Sequence, residues 1–368
     1  MPSSTSSSDD RLPSLPWVGL LVPACLFFLV VVVALETRLA SLGIKPTIQD
    51  SEALWIKERG LADDIGPNAI VLTGASRIHL GIDLPTLQVI TGLKPVQLAI
   101  VGTSSLSVLK GLADDPDFKG TVLVDYYARM LSNPTDDIAA LYEYHFEQRN
   151  RHGLESTEAE EWLTDNLRSQ LRSYADDSRP FNSLVQRALI GHPLPQYVSM
   201  YADRSRAANY SLVKMPDFYY ARVIRNLGIS GDGESLPGDM KQADAKREIE
   251  KRIASIQPAD TVSFGKGVQL LKALSEKIHR RGGNVVVVRM PTSGYVEEEE
   301  ELRFPRKMFW DRLVADVGTP AINYADYPGT KVFTCPDGSH LDQADRAPFT
   351  NALARILMQT LSSEKLAY

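Results

Sequence analysis

Four short runs of apolar, mostly β-branched residues constrain the fold of this chain more than any other feature. A strand with one solvated face alternates apolar and polar residues, whereas a strand buried on both faces of a parallel sheet is apolar throughout. Helical patterns separate the runs, as expected where helices connect parallel strands. The runs cover residues 69–73, 96–101, 121–125 and 285–289. The sequence therefore predicts an α/β fold built on a parallel sheet.

Helical patterns on either side of the last run each present one apolar face. One helix is predicted over residues 266–281 and another over residues 349–361. Apolar residues recur at helical spacing in both, which places them on one face. They are Leu270, Leu271, Leu274 and Ile278 in the first helix, and Phe349, Leu353, Ile356, Leu357 and Leu361 in the second. We expect a three-layer, flavodoxin-like sandwich formed by residues 67–129 and 260–361.

Residues 130–259 lack the strand pattern and are mostly helical and charged. A chain of 368 residues is long enough for about two domains, so this segment is predicted to be a helical insertion or cap. A helix is expected over residues 242–256, after a turn-rich break at residues 228–240. The segment also holds an aromatic cluster, which suits either stacking on sugar rings or helix packing, the favoured interpretation. The cluster comprises Phe218, Tyr219 and Tyr220, with Tyr197 and Tyr201.

Near the N-terminus lies an uncharged stretch long enough to cross a membrane. Residues 15–35 carry no charge, and about 20 apolar residues suffice for one transmembrane helix. A secretory signal peptide would have a shorter apolar region and a small-x-small cleavage site, which Glu36 and Arg38 disfavour, so an uncleaved anchor is the favoured interpretation. Basic residues are nearly balanced on its two sides, so charge leaves its orientation open. Residues 1–14 are predicted to be a disordered tail and residues 36–66 a linker.

Composition argues against several kinds of partner. A formal charge of −6 leaves no basic surface for nucleic acid, so no nucleic-acid partner is expected. Two cysteines cannot form a disulfide when Cys25 lies in the predicted membrane helix. Cys335 is then either a packing residue, which is favoured, or a nucleophile. The histidines show no metal-ligand spacing, and the glutamates at residues 297–301 suit a solvated loop or helix face. We expect neither a metal nor a cofactor.

Residues suited to ligand binding lie at or just beyond the ends of the four predicted strands. They include Ser76, Gly102, Asp125 and Arg289. Ligands of parallel α/β sheets bind at the carboxyl ends of strands, so these residues are predicted to share one site. Gly102 can bring its backbone amide close to an oxyanion, beside the amide of Ser76, or can simply form a turn. Arg77 and Arg289 can bind an anionic group or an acidic sugar, or can pair with carboxylates.

A serine, an aspartate and a histidine together suggest nucleophilic catalysis. An Asp three residues before a His on one turn can orient the imidazole, which then activates a serine brought in by folding. Asp337 and His340 have this spacing, and Ser76 is the candidate nucleophile. The Gly-x-Ser-x-Gly signature of a nucleophile elbow is not met, because Ile78 stands two residues after the serine. His79, three residues after Ser76, is placed to reach the mouth of the site.

The histidine segment also has plain structural interpretations. Asp337-Gly338 is a good turn dipeptide. Ser339 with Asp342 fits a capping box at a helix start. Pro348 argues against that start, because proline suits the first position of a helix and so places the last helix several residues later.

These motifs and their order resemble the SGNH, or GDSL-like, hydrolase superfamily, in which the serine follows the first strand and Asp-x-x-His precedes the last helix. More narrowly, the chain is similar to the membrane-anchored branch that modifies cell-envelope polymers, which includes alginate O-acetylation proteins and the protein that D-alanylates teichoic acid. The resemblance covers residues 67–129 and 260–361. The residues that carry it are Gly74-Ala75-Ser76-Arg77, Leu98-Ala99-Ile100-Val101-Gly102 and Asp337-Gly338-Ser339-His340-Leu341, followed by Phe349-Thr350.

One motif of that superfamily is missing. Its third block, Gly-x-Asn-Asp, supplies an asparagine amide to the oxyanion hole. The nearest asparagine here is Asn133, which the sequence does not place in the site. The departure bears on activity more than on fold. The corresponding strand reads Val122-Leu123-Val124-Asp125-Tyr126-Tyr127.

The resemblance implies a serine acyl-enzyme in which Ser76 attacks, His340 moves the proton and Asp337 orients the imidazole. It also implies a single-pass membrane protein whose large domain is extracytoplasmic, in the periplasm. Three classes of function follow: transfer of a small acyl group to a cell-envelope or secreted polysaccharide, its removal by an esterase, and a non-catalytic glycan-binding or scaffold role. Envelope relatives obtain acyl groups through a multispanning membrane O-acyltransferase, so the implied partners are that protein, the membrane and the polysaccharide.

Overall fold

A computed structural model describes residues 17–48, 50–133, 137–152, 170–174 and 196–365 of the chain. The strands are β1 (Ala69–Thr73), β2 (Lys94–Gln97), β3 (Thr121–Asp125), β4 (Val198–Met200), β5 (Arg206–Ala208), β6 (Asn284–Arg289) and β7 (Ala321–Asn323). The helices are α1 (Trp17–Ser41), α2 (Glu52–Ile65), α3 (Ser76–Gly81), α4 (Leu84–Thr91), α5 (Ser105–Asp114), α6 (Ala128–Ser132), α7 (Asp137–His152), α8 (Asp217–Asn226), α9 (Gln242–Ala254), α10 (Thr261–His279), α11 (Gly294–Arg303), α12 (Trp310–Asp316), α13 (Pro328–Lys331) and α14 (Gln343–Lys365).

Five strands form one parallel sheet in the order β2–β1–β3–β6–β7. Val71 of β1 pairs with Val96 of β2 on one side and with Val122 of β3 on the other. At the far edge, Val288 of β6 pairs with Ile322 of β7. The prediction of an α/β fold with a parallel sheet is confirmed.

Helices cover both faces of this sheet and bury a core on each. Successive side chains of a strand point to opposite faces. The face that carries Val71 packs against α2, α5, α10 and α12, while the face that carries Ile70 and Leu72 packs against α3, α4 and α14. Burial on both faces accounts for the unbroken apolar runs. Leu270 of α10 is an exception to the predicted apolar face, because it is exposed beside the buried Leu271.

One strand lies at a position different from the predicted one, and another was not predicted. β2 lies earlier than the predicted residues 96–101. The chain beyond it still follows β1, because the N–H of Leu98 donates to the carbonyl of Leu72 at 3.0 Å and that of Ile100 donates to Gly74 at 2.9 Å. β7 was not predicted, since a strand of three residues is too short to show a period of two.

Part of the predicted linker, residues 36–66, is helical, which corrects that prediction. The hydroxyl of Ser51 accepts the N–H of Leu54 and caps α2. Trp55 is fully buried, and its indole N–H donates to the carbonyl of Leu98 at 3.0 Å. These contacts make α2 part of the folded domain, because its apolar side chains pack into the core under the sheet.

The helix α1 is long and apolar enough to cross a membrane. Its apolar part, Gly19–Ser41, has 23 residues, and its most apolar window has none of its residues buried. The helix extends past the predicted span, residues 15–35. The carboxylate of Glu36 accepts the backbone N–H groups of Arg172 and Ser173 at 2.8 Å. The predicted tail, residues 1–14, lies outside the described residues.

The described part of the predicted insertion, residues 130–259, combines helices with one hairpin. α7, α8 and α9 are helical as expected, and residues 228–240 hold neither helix nor strand. The hairpin of β4 and β5 was not predicted, because each strand has only three residues. Phe218 packs against Tyr197 and Tyr210 with ring centroids 5.2 and 6.1 Å apart. Phe218 therefore packs between elements, as the favoured interpretation holds.

The last helix starts earlier than Pro348 suggests, which corrects that expectation. α14 begins at Gln343, and Pro348 lies inside it. Asp342 caps the helix, since its carboxylate accepts the N–H of Ala344 at 2.9 Å. The proline removes only one backbone hydrogen bond near the start. The cap and the burial of later residues such as Phe349 outweigh that loss.

Candidate active site

A tight turn holds Ser76 at the end of β1. Gly74 and Ala75 follow β1, and Ser76 is the first residue of α3. Gly74 has a φ of 145°, and a Cβ added there would lie 2.3 Å from the Cβ of Asp125. Only glycine allows so close an approach. The N–H of Ser76 lies in the first turn of a helix, where N–H groups have no intrahelical acceptor.

Asp337 and His340 share a turn just before α14. Gly338 has a φ of 87°, and a Cβ there would lie 2.5 Å from Cγ2 of Val296, so the turn requires glycine. Oδ1 of Asp337 accepts the backbone N–H groups of Ser339 and His340 at 2.9 and 2.8 Å. Oδ2 lies 2.8 Å from Nδ1 of His340. The carboxylate is therefore held through both oxygens and fixes the orientation of the imidazole.

This turn brings His340 against Ser76, 264 residues away in the sequence. Nε2 of His340 lies 2.8 Å from Oγ of Ser76. Because the Asp337 carboxylate accepts the Nδ1 proton, Nε2 of the neutral ring has a free lone pair and accepts the serine O–H. An imidazole placed in this way can remove the proton of an attacking hydroxyl. The three residues singled out from the sequence form one hydrogen-bonded chain.

Asp337 stays ionised although it is almost completely buried. Burial alone would raise its pKa, but His340, the N–H of Ser339 and the hydroxyl of Tyr210 hold the pKa well below its usual range. Burial and the nearby Asp337 raise the pKa of Tyr210, so the phenol remains a donor. The backbone N–H of Tyr210 also donates to the carboxylate of Asp342 at 2.8 Å. Sequence reasoning missed Tyr210, because no local pattern signals a contact with so distant a residue.

Ser76 and His340 line a cavity of about 200 Å³. Its charged lining comes from α3, α6 and α11, and its apolar lining comes from α8 and α11. Because α8 belongs to the predicted insertion, that segment forms part of the cavity wall. The charged residues are Arg77, Arg129, Glu299 and Glu300, and the apolar ones are Val223, Leu227 and Val296.

The two arginines predicted to bind substrate are both paired with glutamates of α11. Arg77 pairs with Glu300 and lies over the ring of Tyr127 at 4.7 Å from its centroid. Arg289 lies 2.7 Å from Glu301 and 4.0 Å from Glu300. Arg77 lines the cavity, whereas Arg289 does not. Both arginines therefore pair with carboxylates, and of the two only Arg77 lies where it can contact a ligand in the cavity.

The glutamate run is partly buried, which corrects the prediction of a solvated surface. Residues 297–301 lie in α11, and Glu299 and Glu300 are each 6% exposed. Glu299 lies 2.9 Å from Arg129 and 2.5 Å from Arg303. Arginines of α11 itself and of neighbouring elements neutralise these carboxylates, and so the helix can face the site.

The predicted backbone donor Gly102 and the asparagine nearest to the missing motif both lie apart from the cavity. Gly102 is on an exposed turn with a φ of 80°. Asn133 is exposed at the end of α6. Neither lines the cavity beside Ser76. The asparagine that does line it is Asn226 of α8.

Two other reactive side chains are buried and do not line the cavity. His79 is fully buried with Nε2 against the carbonyl of Arg204, which corrects the expectation that it reaches the mouth of the site. Burial lowers the pKa of His79 well below its usual value, so the ring is neutral. Burial raises the pKa of the Cys335 thiol, which contacts the carbonyl of Pro291 at 3.3 Å and so acts in packing. Among the described ranges, no group of three potential metal ligands is found.

Asp125 also lines the cavity, and its sequence context gave no sign of its chemistry. It ends β3 and is only 4% exposed. Burial raises its pKa to about 7, against an opposing effect of Arg77. The side chain is therefore a buried carboxyl group that titrates near neutral pH.

Comparisons with protein families, with curated proteins and with solved structures find no match to this chain. The chemistry assigned to the site therefore depends on its own geometry.

Proposed function

We propose that this chain is a membrane-anchored serine acyl-enzyme that transfers a small acyl group to a cell-envelope or secreted polysaccharide, or removes it. The observation that carries the proposal is the hydrogen-bonded chain from Ser76 through His340 to Asp337, with both contacts at 2.8 Å. A buried carboxylate that fixes one imidazole nitrogen, while the other accepts from a serine, is the arrangement that activates a nucleophile.

In the proposed reaction, Oγ of Ser76 attacks the carbonyl carbon of the acyl donor while Nε2 of His340 takes the hydroxyl proton. The oxyanion forms beside the N–H of Ser76, in the first turn of α3. Gly102, the second donor expected from the sequence, does not line the cavity and takes no part in this step. The bond to the leaving oxygen then breaks, and His340 returns the proton to that oxygen. A sugar hydroxyl, or water, then attacks the acyl-serine while His340 takes its proton. The bond between the acyl carbon and Oγ of Ser76 breaks, and His340 returns the proton to Oγ. Asp337 stabilises the imidazolium in both steps.

The size of the cavity supports a small acyl group. Its volume is about 200 Å³, and one water occupies about 30 Å³ of liquid. An acetyl group fits this space. We place the acceptor sugar at the cavity mouth, so that only the acyl group has to enter the cavity.

We propose that the chain belongs to the SGNH superfamily and that its parallel sheet has the flavodoxin-like fold of that superfamily. Three observations support it: the serine follows β1, the Asp-x-x-His turn precedes the last helix, and β1 lies between β2 and β3. The apolar helix α1 supports anchoring in a membrane. We place the large domain in the periplasm, and we propose a multispanning O-acyltransferase as the source of acyl groups.

A fluorophosphonate probe tests the activated serine directly. The full-length chain in detergent should be labelled at Ser76, and the Ser76→Ala and His340→Ala variants should not be labelled. Ser362→Ala is the matched control, since Ser362 lies exposed on α14 and donates only to Met358. Equal labelling of the wild type and Ser76→Ala would exclude Ser76 as the nucleophile.

A second assay separates transfer from hydrolysis. A transferase must hold an acceptor hydroxyl close to the acyl-serine and keep water out, a task for which α8 is placed. Turnover of a small activated ester should then be slow alone and faster with acceptor oligosaccharide, which becomes acylated. Fast hydrolysis that the oligosaccharide leaves unchanged would favour an esterase. Glycan binding without labelling or turnover would favour the non-catalytic scaffold.

Membrane anchoring has its own test. If α1 is an uncleaved anchor, the chain stays with membranes after carbonate washing and keeps the residues that precede the helix. Mass spectrometry of the mature N-terminus gives the answer. A soluble chain that begins directly after Ala34 or Ala40 would show a cleaved signal peptide instead.

A further inference from the structure

Asp125 has an unpartnered oxygen beside the candidate nucleophile. It ends β3 and is 4% exposed, and it lines the same cavity as Ser76 and His340. Within the described part of the chain, its Oδ1 has no hydrogen-bond partner. Gly74, in the turn that carries Ser76, packs directly on its Cβ. A buried polar atom without a partner is uncommon, and a ligand in the cavity would supply one.

The charges around Asp125 leave its carboxylate without a charged partner of its own. Arg77 pairs with Glu300, and Arg289 pairs with Glu301, so the charges within each pair largely cancel. Burial therefore dominates and raises the pKa of Asp125 to about 7, although Arg77 and the N–H groups of Ala75 and Ile78 lower it. The other titratable or charged groups of the cavity and its walls come from six parts of the described chain. They are Arg77 on α3, Tyr127 after β3, Arg129 on α6, Arg289 on β6, Tyr295, Glu299, Glu300 and Glu301 on α11, and His340 before α14.

The protonation state of Asp125 decides what it does to an acyl ligand. Its carboxyl group interacts with the backbone N–H groups of Ala75 and Ile78, on either side of Ser76. The oxyanion of the proposed reaction forms at this same turn. An ionised carboxylate there would repel the oxyanion, because like charges interact strongly where water is excluded. A protonated carboxyl group would instead donate a hydrogen bond to it.

We propose that Asp125 acts as a neutral carboxylic acid that donates a hydrogen bond to the carbonyl oxygen of the acyl group, and to the oxyanion formed from it. This inference rests on the proposed serine acyl-enzyme function. The proton stays on Asp125 throughout, so the step is electrostatic stabilisation and not proton transfer. Asp125 thereby supplies a side-chain donor to the oxyanion, in addition to the amide of Ser76.

Two substitutions test this role in the full-length chain with p-nitrophenyl acetate. Asp125→Asn keeps a donor at every pH, whereas Asp125→Ala removes it. The wild type should lose kcat as the pH rises above about 7, and Asp125→Asn should keep its kcat to higher pH. Asp125→Ala should lose about 100- to 1,000-fold in kcat with little change in KM, as expected for one oxyanion donor.

Glu143→Gln is the matched control. Glu143 is also a buried carboxyl group whose pKa burial raises to about 7, but it packs against Arg59 and Gly111 away from the cavity. The Glu143→Gln variant should keep the alkaline decrease of the wild type. Ser76→Ala provides the background rate at each pH. A purely structural role for Asp125 would lower thermal stability without removing the alkaline decrease in Asp125→Asn.

The outcomes separate this inference from the proposed function. An alkaline decrease that is the same in the wild type and Asp125→Asn would overturn the inference, even if Asp125→Ala fails to fold. So would a folded Asp125→Ala with kcat within threefold of the wild type. If Ser76 is nevertheless labelled by a fluorophosphonate, the proposed serine acyl-enzyme function would still stand. Absence of labelling in the wild type would overturn both proposals.

Discussion

Replacing Asp337 by asparagine should inactivate the site while leaving the fold in place. Oδ1 of Asp337 accepts two backbone N–H groups, at 2.9 and 2.8 Å. In Asp337→Asn the amide oxygen must take this position, because an NH₂ group there would face two donors. The NH₂ group then faces Nδ1 of His340, which has to become an acceptor. The ring proton moves to Nε2, and the imidazole can no longer take the proton of Ser76.

The size of this effect follows from the change of tautomer. An equivalent change in a serine triad lowers kcat by about 10,000-fold, which is about 5 kcal/mol in the activation free energy. The rate of fluorophosphonate labelling of the full-length chain measures it, and thermal unfolding shows that the variant is folded. Asp260→Asn is the matched control, because the Asp260 carboxylate also accepts two backbone N–H groups, both at 3.1 Å, at the start of α10. A loss of less than tenfold in Asp337→Asn would refute the argument.

Three other changes test the packing, the insertion and the titration of the site. Gly74→Ala should be about 3 kcal/mol less stable to urea than the control Gly92→Ala. A Cβ at residue 74 would lie 2.3 Å from the Cβ of Asp125, whereas a Cβ at residue 92 would meet nothing within 4 Å. A difference under about 1 kcal/mol would contradict the packing argument. Tyr210→Phe should slow fluorophosphonate labelling about tenfold, since a hydrogen bond to a charged group is worth about 1.5–3 kcal/mol, and unchanged labelling would remove Tyr210 from the site. The wild type should lose stability relative to Asp125→Asn as the pH rises from about 4 to about 7. Over this window the folded wild type holds a proton on Asp125 that the unfolded chain releases, because burial raises the pKa of the folded state. The loss should amount to about 4 kcal/mol of unfolding free energy. A difference between the urea unfolding free energies that does not change with pH would contradict this sign.

The parallel sheet was predictable because its strands are buried on both faces. The runs at Ala69–Thr73 and Thr121–Asp125 match β1 and β3 residue for residue. β7 and the β4–β5 hairpin escaped prediction because three-residue strands carry no period. The linker prediction failed at α2, whose apolar residues such as Trp55 pack on a core formed by distant parts of the chain.

The contacts within the site were only partly predictable. Asp337 and His340 lie close in sequence, so their hydrogen bond follows from a turn. Their contact with Ser76 depends on the fold that brings β1 and the last turn together. Tyr210 and the burial of Glu300 depend on packing between distant elements, which no local pattern encodes. The pKa of Asp125 depends on burial in the same way.

Trapping of an acyl-serine tests the central claim most directly. The full-length chain is mixed with p-nitrophenyl acetate, quenched in acid, and mapped by peptide mass spectrometry, with Ser76→Ala and His340→Ala in parallel. We expect one acetyl group on Ser76 of the wild type, none in either variant, and loss of the adduct when an acceptor oligosaccharide becomes acetylated. Wild-type chain that carries no acetyl group on Ser76, or the same acetylation in His340→Ala, would contradict the account.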